Sequence, residues 1–280
     1  MLLIADSGST KTDWRLIKET GEIIKTSTIG LNPFFVSKNK IEQELQDFNN
    51  KANVDTVYFY GAGCVNEDKK SEIKQGLLKV FKNSKIFVDD DMIGAAKALF
   101  KNDKGIAAIL GTGMNVCYYN GNEITQRGVS LGYILGDEGG GAYLGKELIK
   151  AYLYNDLPEE IHAKFKNKYK IEKNEILETV YKKPFPNKYL AGFSKFIYDN
   201  INNRFIEDLV IKSFTVFFDK HIIKIKDYQT LNLRLTGSIA YYFEKQLKQA
   251  GNKFNVNIDV ILNSPIDELV EYHQILKTNK

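Results

Sequence analysis

Short apolar runs alternate with polar, glycine-bearing turns along this chain, and the order of the runs repeats in its two halves. Leu2 to Ala5 is apolar and reads as a buried strand. Asp6-Ser7-Gly8-Ser9-Thr10-Lys11-Thr12 is polar and turn-forming, and Trp14 to Ile17 resumes the strand, which predicts a hairpin with a polar tip. Ile23 to Ile29 is a third strand. Helical spacing through Ile41, Leu45 and Phe48 predicts a helix over 37–51. Thr56 to Tyr60 is a strand, Lys69 to Phe81 a helix, Lys85 to Val88 a strand, and about Met92 to Phe100 a helix. At Gly105 the pattern begins again. Ile106 to Leu110 is a strand, Gly111-Thr112-Gly113-Met114-Asn115 a glycine-rich turn, Val116 to Tyr119 the returning strand, and Glu123 to Arg127 the third. Helices follow over Gly141 to Tyr154 and Phe205 to Ile225. Asn232 to Leu235 is a strand, Ser238 to Gln249 a helix, Asn257 to Ile261 a strand, and Ile266 to Leu276 a last helix. Strand–helix alternation predicts an α/β fold. The expected lobes span 1–104, with the helix at about 266–280 able to pack back on them, and 105–265, with a helical insertion at about 155–200.

Composition narrows the class. A length of 280 residues exceeds the usual single domain, and 43% hydrophobic residues supply a sizeable core. A net charge of +4 is mild, and Lys69-Lys70 and Lys182-Lys183 read as solvated surface, so no nucleic-acid partner is expected. Cys64 and Cys117 lie far apart with no C-x-x-C, which argues against a disulfide framework or a zinc site and fits a reducing cytoplasm. The apolar start is cut short by Asp6, so neither a signal peptide nor a membrane association is expected, and the location expected is cytoplasmic.

Five stretches could carry chemistry. Small residues at the first tip let backbone N–H groups approach an anion; Ser9, Thr10 and Lys11 add donors, and Asp6 is placed for a hydrated Mg²⁺. An ordinary polar hairpin turn is the competing reading. No Walker pattern is present. Thr112 and Gly113 occupy the matching tip of the second half. Asp89-Asp90-Asp91 sits between a strand and a helix, where one carboxylate can cap and another accept a proton or hold metal. Asp137 and Glu138, within Gly136 to Gly141, could bind sugar hydroxyls or a metal, or merely start a helix. Gly237 and Ser238 join a strand to a helix with room for a ligand against the backbone. His162, His221 and His273 read as ordinary surface or core residues.

In that order, Asp6 to Trp14, Leu31-Asn32-Pro33, Asp91 to Gly94, Leu110 to Asn115, Gly132 to Gly145, Ala191-Gly192-Phe193 and Thr236-Gly237-Ser238 resemble the actin-like sugar-kinase superfamily. Within it the set is similar to the family that unites N-acetylglucosamine kinases with BadF/BadG/BcrA/BcrD-type ATPases. The resemblance implies two actin-like (ribonuclease H-like) lobes, a mixed five-stranded sheet in each, and an ATP cleft between them. It implies ATP and Mg²⁺ as cofactors. Ser9, Thr10, Lys11, Thr112 and Gly113 would bind the phosphates, Gly237 and Ser238 the adenosine, and Asp6 the Mg²⁺. Asp91 would be the catalytic base, and Asn32, Asn115, Gly132, Asp137 and Glu138 would line the sugar site. Met114, Leu131 and Gly140 stand where related kinases often carry Ser, Trp and Ser, so the acceptor could be N-acetylglucosamine or another hexosamine. Three readings stay open: a kinase phosphorylating an amino sugar, an ATPase energising a partner, and a non-catalytic nucleotide or sugar sensor. The expected partner is a small sugar, with a homodimer considered; the ATPase reading adds a partner protein.

Overall fold

The computed structural model describes residues 1–48 and 51–278. They divide into two compact units, one of Met1–Asp103, Gly121–Glu123 and the segment from Ser264 onward, the other of Lys104–Asn120 and Ile124–Asn263.

In the first unit, β1 (Leu2–Ser7), β2 (Lys11–Ile17), β3 (Ile23–Ile29), β4 (Thr56–Gly61) and β5 (Lys85–Asp90) form a sheet in the order β3-β2-β1-β4-β5. The three-strand meander is antiparallel, whereas β4 and β5 run parallel to β1. This mixed sheet follows from its connections. The tight Gly8–Thr10 and 18–22 turns permit only antiparallel neighbours, while the crossovers through α1 (Lys38–Leu45) and α2 (Glu67–Val80) return the chain parallel. Side-chain alternation sends Leu3 and Ala5 into a core with Trp14, Phe59 and Phe81. Ile4 points to the opposite face, where α3 (Asp91–Phe100) packs and a last helix brings Ile266, Leu269 and Val270.

In the second unit, β6 (Gly105–Leu110), β7 (Met114–Tyr119), β8 (Ile124–Arg127), β9 (Asn232–Thr236) and β10 (Asn257–Leu262) form a sheet in the order β10-β9-β6-β7-β8, with the same pattern of strand directions. The helices are α4 (Gly132–Leu135), α5 (Gly141–Leu153), α6 (Glu159–Tyr169), α7 (Lys173–Lys182), α8 (Pro186–Ala191), α9 (Ser194–Asp199), α10 (Arg204–Phe217), α11 (Ser238–Tyr242) and α12 (Glu244–Asn252). Phe165, Phe196, Phe214, Phe217 and Phe218 fill the core between them. The first unit is completed by α13 (Ile266–Thr278).

Several boundaries differ from those expected. Lys11 and Thr12 belong to β2, because the tip closes with Gly8 N–H donating to Lys11 O at 2.9 Å and leaves only Gly8–Thr10 outside the ladder. The helix expected over 37–51 ends at Leu45; its positions 49 and 50 lie outside the described residues, as do positions 279 and 280 of the last helix. The helix from Phe205 turns into a π-helical segment at Phe218–Ile222. The single helix expected over Ser238 to Gln249 is two, broken at Phe243, whose ring is buried in the core.

Candidate functional site

In the first unit the Gly8–Thr10 tip is exposed, and its base is braced by buried hydroxyls. The Ser7 and Thr12 hydroxyls, both fully buried, are 2.8 Å apart. Leu31 N–H donates to each, at 3.0 and 3.2 Å, and the Thr12 hydroxyl donates to Ile29 O at 2.9 Å. Gly30 N–H donates to Thr10 O at 3.0 Å. A Cβ on Gly30 would lie 2.4 Å from Gly8 O and 2.6 Å from the Ser9 carbonyl carbon, so only glycine allows the end of β3 to press against the tip. Reading the sequence placed Ser7 and Thr12 in the polar tip without giving them a role of their own, and it missed Gly30; the glycine closing an otherwise regular strand was the available signal.

Carboxylates gather beside this tip. Asp6, partly buried, faces Asp13 across the β1–β2 ladder. Burial, then the charges of Asp91 and Asp13, push the Asp6 carboxyl up to about 7, against an opposing pull from Arg15. Lys11 and Asp13 form an ion pair at 2.7 Å. Asp90 caps α3, its carboxylate accepting from Ile93 N–H at 2.9 Å, which leaves Asp91 as the first helical residue. Asp89 pairs with Lys70 at 3.1 Å. Asp89 and Asp90 thus hold distinct partners, and Asp91 opens the helix. Buried Asn32 accepts from Phe34 N–H at 2.9 Å, and Gly63, with φ of 86°, admits the Asn32 amide, since a Cβ there would lie 2.4 Å from its oxygen.

The fit to Mg²⁺ can be judged from these donors. Among the described residues no three His, Cys, Asp or Glu side chains are grouped to cage a metal. Mg²⁺ rarely needs such a cage, because it keeps several waters and is held by one or two carboxylates plus phosphate oxygens. Asp6, with excess negative charge around it, suits that mode.

In the second unit the Gly111–Gly113 tip is tied to the start of α5. Gly141 N–H donates to Gly111 O and Ala142 N–H to Thr112 O, each at 2.8 Å. Asp137, buried and in the left-handed region at φ of 60°, accepts from Met114 N–H at 3.4 Å, and its carbonyl accepts from Gly140 N–H at 2.9 Å. Burial raises its carboxyl pKa against the Met114 N–H, which lowers it; Glu138 adds to the rise, while Lys146 and His221 oppose it. A Cβ on Gly113 would lie 2.8 Å from Asp137 Oδ2, and one on Gly140 2.8 Å from the Gly113 carbonyl. Glycine at 140 lets these two loops approach closely. Met114 is buried, and Leu131 is exposed.

Not every expected residue converges here. The Asn115 carboxamide oxygen accepts from its neighbour Val116 N–H at 3.0 Å. Gly132 is exposed, with φ of 72° and nothing within 4 Å of a Cβ position. Glu138 pairs with buried His221 at 3.0 Å, a contact across 83 positions that no local pattern announces. Gly237, at φ of 115°, lies flat on β6, where a Cβ would come within 2.3 Å of Leu110 O. Ser238 is exposed at the start of α11. Just before them, the buried Thr236 hydroxyl has no hydrogen-bond partner among the described residues, an exception that asks for a ligand or water.

A search of family models and of curated proteins returns no match. Among solved structures, a protein named "Putative N-acetylglucosamine Kinase" from Porphyromonas gingivalis is 38% identical, over 98% of this chain and 99% of that one, with a TM-score of 0.93. A second protein of that name, from Chromobacterium violaceum, is 13% identical over 97% and 98% of the two chains, with a TM-score of 0.71. A ROK family glucokinase from Streptomyces griseus, solved with glucose and AMPPNP, is 13% identical over 98% of each chain, with a TM-score of 0.56. The latter two share the fold.

Proposed function

The chain belongs to the N-acetylglucosamine kinase family of the actin-like sugar-kinase superfamily, and from that membership we propose that it transfers the γ-phosphoryl group of ATP to a hydroxyl of an amino sugar, with N-acetylglucosamine the best-fitting acceptor. The observation that carries the reading is the Asp6 carboxyl, pushed up to about 7 by burial and by Asp91 and Asp13 beside an exposed donor-rich tip. A site that crowds carboxylates calls for a cation, and a tip of small residues suits phosphate oxygens.

The roles follow within each unit. In the first, Ser9, Thr10 and Lys11 hold phosphate, Asp6 holds Mg²⁺ and Asn32 orients the sugar. When bound, the ion neutralises charge on the phosphates. Asp91 accepts the proton of the acceptor hydroxyl as its oxygen bonds to the γ-phosphorus, while the bond from that phosphorus to the β–γ bridging oxygen breaks and its electron pair leaves with ADP. In the second unit, Thr112 and Gly113 hold phosphate, Gly237 and Ser238 flank the adenosine, and Asn115, Gly132, Asp137 and Glu138 line the sugar. Both cysteines are buried, and burial pushes the Cys64 thiol up to about 12, which tells against the cluster-bearing ATPase alternative, because thiolates are the ligands of such clusters. ADP release against a panel of hexoses and hexosamines tests the proposal. Turnover that rises sharply with one amino sugar is expected; turnover indifferent to every sugar overturns it.

A further inference from the structure

Asp137 holds a backbone φ of 60°, uncommon outside glycine, and its carboxylate accepts one long bond, 3.4 Å, from Met114 N–H. Such a conformation persists where its neighbours hold it. The next two residues supply the contacts that do so. Gly139, at φ of 80°, lies against α10: a Cβ there would stand 3.0 Å from Phe217 Cβ and 3.4 Å from the Phe214 ring. Between them, the Glu138 carboxylate is 3.0 Å from His221 Nε2. The Glu138 side chain is 16% exposed and that of His221 7%, so water is largely kept from this bond. An ionised carboxylate only accepts, so Nε2 carries the hydrogen and donates it. Phe217 and His221 stand four positions apart with ring centroids 5.9 Å from each other, and both meet the loop. His221 lies in the π-helical turn that follows α10, where Ile223 N–H reaches back five residues to Phe218 O at 3.1 Å; such turns are frequent at functional sites.

We infer that His221 is a positioning residue for the sugar site, an assignment that rests on the kinase reading above: by donating to Glu138 it fixes the loop that aims Asp137 at the acceptor. His221 acts through Glu138 and touches no reacting atom. Without the Nε2 donor, Glu138 is a largely buried charge lacking its partner, and it relieves the desolvation penalty by turning out to water. That turn moves Asp137, the residue next to it. Lys146, whose charge also acts on Asp137, does not take over, because its Nζ donates to Tyr133 O at 3.1 Å. A histidine that only filled the core would be replaceable by an apolar side chain of its size.

The test compares the full chain with its His221→Phe, His221→Met and His221→Gln variants, using the amino sugar that the ADP-release screen selects. Phe and Met keep apolar bulk without the donor, whereas the Gln side-chain amide supplies an N–H near the place of Nε2. Thermal melts show which apolar variant stays folded, and that one is carried forward. It is expected to raise the sugar KM about 5- to 20-fold while the ATP KM stays within about twofold, and Gln to recover most of the loss. In an Asp137→Asn background the same change should raise the sugar KM by less than about twofold, because the two residues act through one loop. In the sugar-free chain, hydrogen exchange over 136–141 should quicken in the apolar variant and return toward the parent rate with Gln. An unchanged sugar KM, an equal rise in both KM values, or a Gln variant no better than the apolar one overturns the assignment. Should the parent chain turn over no sugar, the kinase reading fails instead, and exchange over 136–141 alone decides whether His221 holds the loop.

Discussion

Asp90 and Asp91 are adjacent, and the structure divides their work. Since Asp90 makes the capping bond of α3, the bland reading of Asp91 as that helix's cap is removed. Asp91→Asn keeps size and hydrogen-bonding oxygen but cannot take a proton; it is expected to fold normally and bind sugar while kcat falls about 100-fold or more. Asp90→Ala should instead cost about 1 kcal/mol of stability, seen in denaturant melts. Near-normal turnover of Asp91→Asn would return suspicion to Asp89 or Asp137. Asp6 gives a pH signature. Its carboxyl, raised from 3.8 to about 7, binds its proton more tightly in the folded chain, so stability falls as pH rises between those values and stays reduced above 7. Asp6→Asn is therefore expected to stabilise the free protein at pH 8, on the order of 1–3 kcal/mol after screening, and to do little below pH 4. Calorimetry with MgATP should show weaker binding to the same variant; unchanged affinity would remove Asp6 from the metal role.

At the scale of elements, α13 is anchored by a neutral histidine. His273 Nε2 and the Tyr60 hydroxyl are 3.0 Å apart, and the ring stacks on Tyr58 at 3.9 Å. Burial, then the Lys97 charge, lowers its pKa from 6.5 to about 3. A depressed pKa means the folded chain resists protonation, so this contribution is whole above 6.5 and erodes as pH falls toward 3. At pH 5 the loss is about 2 kcal/mol. His273→Phe should forfeit the Tyr60 bond at pH 7 yet lose less between pH 7 and 5 than the parent; equal losses in melts at both values would discard this account. Much of the scaffold was legible in the sequence: Leu2–Ala5 and Ile106–Leu110 are apolar runs bounded by glycine-bearing tips, and both became central strands with hairpin partners. The fold class follows from that alternation. The break at Phe243 was not legible, because Ile239, Leu247 and Ala250 keep a helical spacing across it and only tertiary packing of the ring stops the helix. Nor was the pairing of Glu138 with His221, or the pressing of Gly30 on the first tip, since each joins segments distant in sequence. Asp6, Thr112 and Asp137 carry local signals, a carboxylate or hydroxyl near glycine, that single them out as candidates; Asp13, in an unremarkable strand, carries none.

At the scale of the whole molecule, the two units differ in how the chain supplies them. The first draws its sheet from residues before Asp103 and its covering helix from after Ser264; the second lies between. Trp14, the sole tryptophan, is fully buried in the first unit and reports on it alone. A chain ending at Asn263 loses Ile266, Leu269 and Val270 from beneath the sheet, an apolar loss of several kcal/mol by the usual 2–5 for each large-to-small core deletion, roughly summed. We expect its Trp14 emission to shift to the red while far-UV circular dichroism keeps the helical signal of the second unit. A native emission spectrum would show that α13 is dispensable. The same layout has a consequence for synthesis. A ribosome releases residues 1–103 early, but the helix that covers one face of their sheet leaves the tunnel only after the entire second unit has been made. During that interval Ile4, Ile17 and Ala98 present an uncovered apolar face, which makes the half-made chain the form most in need of a chaperone.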